Sequence, residues 1–184
     1  MNYSRKLKRA LTIYEYLVAN GQNADALHCF RNSFIGFFIK LFTLSKYQHT
    51  AILKRPEMEQ SKVTVFDAQK DGFQERELLD WCVTYGYKFN ITRLSNKIEQ
   101  MECIRRAELL KGTPYSKKDL LVKHIVQSIT GGWRFRTPEE ESSEVVCSEA
   151  IGRCRNYKYS YRMSPKTFHK ACLESGELEV LVKV

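Results

Sequence analysis

A cysteine, a histidine and a carboxylate brought together make an acyl-transfer centre. The imidazole takes the thiol proton, the thiolate attacks a carbonyl carbon, and the carboxylate fixes the tautomer and steadies the imidazolium. The sequence holds six cysteines, at 29, 82, 103, 147, 154 and 172, and four histidines, at 28, 49, 124 and 169. Cys147 differs from the rest in its setting: Ser148-Glu149 follow it, and Ser142 or Ser143 can cap a helix that contains it. A thiol in the first turn of a helix feels the positive end of the dipole, which favours the thiolate, and the free N–H groups there can hold an oxyanion. Two features oppose this. Thr137 and Glu140 fit a capping box that would put Cys147 in mid-helix, and the acidic run upstream disfavours a thiolate. On spacing alone a buried structural thiol is the favoured reading.

His49 opens a strand-like run, residues 49–54, and Asp67 closes the next one, residues 62–68. The polar segment between them contains Pro56 and reads as a turn, so the runs should pair as an antiparallel hairpin with Asp67 near His49. A lone histidine is as readily a satisfied polar side chain, and a strand-end aspartate a turn residue. His28 sits in an apolar run beside Cys29, and His124 and His169 fall on helical patterns.

The elements that must position these groups follow from periodicity and stop signals. Residues 4–20 form an amphipathic helix with Leu7, Leu11, Tyr14, Leu17 and Val18 as its apolar stripe, a basic opposite face (Arg5, Lys6, Lys8, Arg9) and Gly21 as its stop. A short strand over 25–30 precedes a helix capped by Asn32 or Ser33 and running to about residue 42. After the hairpin, Asp71-Gly72 marks a turn. A helix is expected over 74–85, a strand over 87–94, helices over 97–111 and 117–130, a last helix started by Ser164-Pro165 and ended by Gly176, and a strand over 178–184. The fold class is α+β, an antiparallel sheet packed against helices.

Several of these segments, in this order, resemble the histidine and cysteine motifs of the circularly permuted papain-like hydrolases. These are the YiiX-like relatives of the NlpC-type peptidases and of lecithin retinol acyltransferase. The matching stretches are residues 40–52 leading into His49, Phe66-Asp67-Ala68, Gly72-Phe73, the strand ending at Arg93, Gly112-Thr113-Pro114-Tyr115, Cys147-Ser148-Glu149 and Ser164-Pro165. The resemblance spans about residues 25–175. It implies a permuted papain-like (NlpC-type) fold in which the cysteine follows the histidine in the chain. It also implies a Cys147, His49, Asp67 triad working through an acyl-enzyme, with Tyr47 and Tyr115 as weaker oxyanion or substrate-binding candidates. The chain departs from the pattern in having Asp at 67, where Glu is frequent, and Ala24 in place of the Gly of an opening Gly-Asp pair. The helix over 4–20 lies outside the match, so the expected organisation is one domain over 1–184 with residues 1–22 as an added N-terminal helix.

The bulk properties agree with an enzyme of this size. With 184 residues and 43% hydrophobic content there is material for one core. No run reaches the roughly 20 apolar residues of a membrane helix. No signal peptide is evident, so a cytoplasmic protein with free thiols is expected. The net charge of +9 points to an anionic substrate or partner. A partner with an amide, peptide or acyl group fits the triad. The alternative is a non-catalytic module for nucleic acid or another anion, built from Arg153, Arg155, Lys158, Arg162 and Lys166 interleaved with Tyr157, Tyr159 and Tyr161. His28 and Cys29 lack the spacing of a zinc site; no metal and no cofactor are expected.

Overall fold

The computed structural model describes residues 3–30, 46–56, 62–85, 88–116, 145–157 and 164–182. The elements are α1 (Tyr3–Asn20), β1 (Ala26–Cys29), β2 (His49–Lys54), β3 (Thr64–Gln69), β4 (Gly72–Glu77), α2 (Leu78–Tyr85), β5 (Phe89–Arg93), α3 (Lys97–Leu110), α4 (Cys147–Cys154), α5 (Pro165–Glu174) and β6 (Leu178–Leu181). The strands form a six-stranded sheet in the order β4-β3-β2-β1-β5-β6, with every neighbouring pair antiparallel. The helices expected over 33–42 and 117–130 lie outside the described residues, as do the acidic segment 137–144 and the basic-aromatic residues 158–163.

Both faces of the sheet are covered, which is why β1 and most of β2 are buried without alternation. Leu27, Cys29, Ala51, Leu53 and Val65 pack with Ala10, Ile13 and Leu17 of α1 and with Leu78, Trp81 and Tyr85 of α2. Ala26, Ile52, Phe66 and Ala68 pack with Cys103 and Ala107 of α3, with Cys147, Ala150 and Ile151 of α4, and with Phe168 and Cys172 of α5. The stripe of α1 is rotated from the expected one. Ala10, Ile13 and Leu17 are the buried row, and Leu7 and Leu11 stay 38% and 40% exposed, because small Ala10 lets the helix lie close. Gly21 permits the same closeness at the helix end, where a Cβ would stand 2.3 Å from Leu53.

Residues 74–77 are strand, not the start of a helix. Glu75, Arg76, Glu77 and Leu78 are good helix formers, but pairing with β3 from Thr64↔Glu77 to Gln69↔Gly72 outweighs that propensity. The helix therefore begins at Leu78. As an edge strand β4 buries little beyond Gly72 and Phe73, so its sequence reads as polar. The strands expected over 87–94 and 178–184 are likewise shorter, Phe89–Arg93 and Leu178–Leu181. Ser164 caps α5 with Pro165 at its first position, as expected, and the helix from Lys97 is capped by the Asn96 side chain.

A buried ionic knot joins the ends of several elements. Asp25 accepts a two-pronged bond from Arg93 at 2.8 and 2.7 Å. Arg155, at the C-cap of α4, donates to the carbonyls of Ala24 and Thr92 and pairs with buried Glu177. Ala24, standing where the resembled motif has Gly, has φ 63, the left-handed region in which Gly is unstrained.

Candidate functional site

Cys147 is the first residue of α4, so the thiol does sit in a first helical turn. It gets there by a route the sequence does not suggest. The helix starts neither at the Thr137 capping box nor beneath a serine. Its N-cap is Val146, extended at φ −105 and ψ 163, with no side-chain capping bond. The entry is held instead by backbone pairing, a parallel bridge between Tyr115 and Val145. Val145 N–H donates to Pro114 C=O at 2.9 Å and Ser116 N–H to Val145 C=O at 3.0 Å. The Gly112–Tyr115 loop is itself stitched to β4, Phe73 N–H to Thr113 C=O and Gly112 N–H to Phe73 C=O, both at 2.8 Å. Gly72, at φ 98, would carry a Cβ 2.7 Å from Thr113 O, so only glycine admits that approach.

His49 is the first residue of β2, and Asp67 lies on β3 opposite Ala51. Residues 49 and 51 share a side of a strand, so Asp67 is the diagonal neighbour of His49. The His49 Nε2 to Asp67 Oδ1 distance is 2.5 Å. Asp67 is fully buried and its second oxygen accepts from Gln69 Nε2 at 2.7 Å. Tyr85 of α2 stacks flat on the imidazole, centroids 4.3 Å apart and planes 10° apart. Cys147 stands close enough to the ring for the two to act on each other electrostatically. With Nε2 committed to Asp67, Nδ1 is the nitrogen left for the sulfur. All three side chains expected from the sequence therefore meet at the seam between α4 and the β2–β3 pair.

The electrostatics of the meeting are one-sided. Burial works to lower the His49 pKa, but the charges of Asp67 and Cys147 and hydrogen bonds to both hold it well above the ordinary 6.5. Burial works to raise the Cys147 pKa, but the His49 charge, its hydrogen bond and the backbone N–H of Thr50 bring it below the ordinary 9.0. The other five thiols are buried too, and burial pushes every one of them up, Cys82 and Cys172 to about 12 and Cys103 to about 11. The pair thus favours thiolate and imidazolium, the reactive form of a cysteine nucleophile.

Of the two weaker candidates, Tyr115 is half-buried beside the centre, where burial and then the Cys147 charge raise its hydroxyl pKa. Tyr47 goes elsewhere. Its hydroxyl accepts from Asn90 and bonds His169 at 3.1 Å in a separate buried cluster with His28, which withdraws it from an oxyanion role. Two contributors are not foreseeable from the motifs, Tyr85 and the Thr50 N–H. Gln48, beside His49 in the chain, is a buried side chain with neither amide atom bonded among the described residues. The described residues contain no group of three or more His, Cys, Asp or Glu placed to hold a metal ion.

Arg153, Arg155 and Tyr157, expected as parts of a nucleic-acid surface, are used internally. Arg153 pairs with Glu149 at 2.7 Å, Arg155 is buried against Glu177, and Tyr157 donates to Glu177 at 2.7 Å. No described helix is long and apolar enough to cross a membrane.

No protein-family model matches the chain, and no curated protein does. Among solved structures the fold is similar to that of "metalloprotein yiiX" from Escherichia coli O157:H7, with a TM-score of 0.51 and 21% identity. The match covers 72% of this chain, and the chain spans 63% of the length of that protein. A likeness at this identity is one of fold.

Proposed function

We propose that this chain is a single-domain cysteine hydrolase or acyltransferase of permuted papain-like (YiiX-like) architecture. Cys147 is its nucleophile, His49 its base and then acid, and Asp67 the carboxylate that orients His49. The observation that carries the reading is that, of six buried thiols, the one at a helix start is also the one whose pKa a neighbouring imidazole–carboxylate pair lowers. The likeness of fold to the yiiX protein supports the architecture.

In the resting pair His49 already holds the proton of Cys147. The thiolate attacks the carbonyl carbon of an amide, peptide or acyl substrate, and the carbonyl electron pair moves to oxygen. That oxyanion is met by the backbone N–H of Cys147, which at the first helical position has no intrahelical carbonyl to bond. The Gln48 carboxamide, buried next to His49 in the chain and unbonded among the described residues, is proposed as the second donor. As the tetrahedral intermediate collapses, His49 protonates the leaving amine or alcohol, leaving a thioester on Cys147. Water or another acceptor, deprotonated by His49, then releases the acyl group and restores the thiolate. The yiiX protein is called a metalloprotein, whereas the described residues of this chain offer no cluster of three or more His, Cys, Asp or Glu for a metal ion.

The test is to trap the acyl-enzyme. Mixing the protein with a p-nitrophenyl ester is expected to give a burst of p-nitrophenol and an acyl mass adduct that maps to Cys147. Both should vanish in Cys147→Ala. An adduct on another residue, or turnover unchanged in Cys147→Ala, would refute the assignment.

A further inference from the structure

The His49 imidazole meets ionisable groups from several elements and an aromatic ring from one. Asp67 of β3 holds Nε2, and Arg76 of β4 stands 3.9 Å from the other oxygen of that carboxylate. Cys147 of α4, Cys29 of β1 and Tyr115 lie within electrostatic reach of the imidazole. Tyr85, the last residue of α2, lies flat over it, centroids 4.3 Å apart and planes 10° apart. That ring is itself fixed. It continues the buried row Leu78, Trp81 and Cys82 at helical spacing. Trp81 backs it at 5.6 Å, and Phe89 meets Trp81 edge-on at 6.4 Å. His49 and Tyr85 are 7% and 8% exposed, so water supplies little of the solvation that an imidazolium needs. The face of a phenol ring is the negative part of its quadrupole and attracts a cation, more strongly where both are desolvated.

We propose that Tyr85 is a positioning residue of the site, whose ring face favours the His49 imidazolium over the neutral ring and fixes the plane in which the imidazole lies. That plane keeps Nε2 on Asp67 and leaves Nδ1 for Cys147. The role rests on the reading of His49 as the base of a Cys147 hydrolase. A side chain that merely filled the space over His49 would do as well with any ring of the same shape.

The test changes the ring in the full chain and follows the His49 Cε1–H signal by NMR against pH, in a Cys147→Ala background that removes the coupled thiol. Tyr85→Phe keeps the face and is expected to leave the His49 pKa where it is. Tyr85→pentafluorophenylalanine keeps the shape of a ring but reverses the charge of its face. There the pKa is expected to fall by about one pH unit, a tenfold loss of imidazolium relative to imidazole. Tyr85→Leu, which has no such face, should fall between the two. With Cys147 in place, the fluorinated variant should acylate more slowly with the p-nitrophenyl ester by a similar factor, and Tyr85→Phe should match the unaltered protein. An unchanged His49 pKa in the fluorinated variant, or a fall in Tyr85→Phe as large as in Tyr85→Leu, would overturn the proposal. So would a burst of equal rate in all of these proteins. No burst in any of them, the unaltered protein included, would instead be the failure of the hydrolase reading.

Discussion

Asp67 is the residue whose role separates a catalytic pair from two buried polar groups that happen to touch. Its charge helps raise the His49 pKa, and the His49 charge in turn lowers that of Cys147. Asp67→Asn keeps the shape and removes the charge. Turnover is expected to fall by about two orders of magnitude or more, within the range of positioned acid–base groups. The alkaline limb of the pH profile should also move to lower pH, because the charge that raises the His49 pKa is gone, a shift that a loss of packing alone would not give. In the unaltered protein the profile is expected to be a bell. The acid limb reports thiolate formation, with the Cys147 pKa depressed, and so falls below 9.0. The alkaline limb reports loss of the imidazolium, with the His49 pKa raised, and so falls above 6.5. Both limbs belong to the coupled pair. A profile that simply rises through the ordinary thiol range would contradict the ion pair. The three residues are nameable from the sequence, but chiefly through the order of motifs they resemble. The spacing of Cys147 alone favours a structural thiol, because nothing local says that a helix begins there. Tyr85 is invisible in the sequence, since a stacking contact depends on a partner far along the chain.

At the scale of elements, what matters is how backbone pairing sets the start of α4. The helix has no side-chain cap, and its first residue is placed by the Tyr115–Val145 bridge and by the loop that Gly72 admits. The Gly112–Tyr115 and Gly72-Phe73 motifs are legible as sequence, but their purpose is not, because it lies in hydrogen bonds between segments distant in the chain. The far end of α4 is pinned by Arg155 against Glu177, both buried. Arg155→Met leaves that carboxylate without its partner and is expected to destabilise the fold by about 3–5 kcal/mol. A second change, Glu177→Leu, should restore part of the loss. Urea unfolding of the single and double variants measures both, and an Arg155→Met variant as stable as the original would refute the knot. β4 reads as helix for an opposite reason: helix-forming residues on an edge strand bury too little to betray the pleat.

Across the whole molecule, a sheet buried on both faces carries the imidazole and carboxylate on adjacent strands, and a helix from one covering layer brings the sulfur to them. The α+β class and the antiparallel sheet can be read from alternation and turn signals, since those are local. The strand order, with β1 between β2 and β5, cannot, because it is decided by which apolar faces meet. Burial raises the pKa of five thiols while the His49 side lowers that of Cys147, and brief alkylation with limiting iodoacetamide followed by peptide mapping reads that difference directly. Cys147 is expected to be modified first, at a pH where ordinary thiols are protonated, with the preference lost in His49→Ala. Labelling spread evenly over the cysteines, or unaffected by removal of the imidazole, would contradict the account.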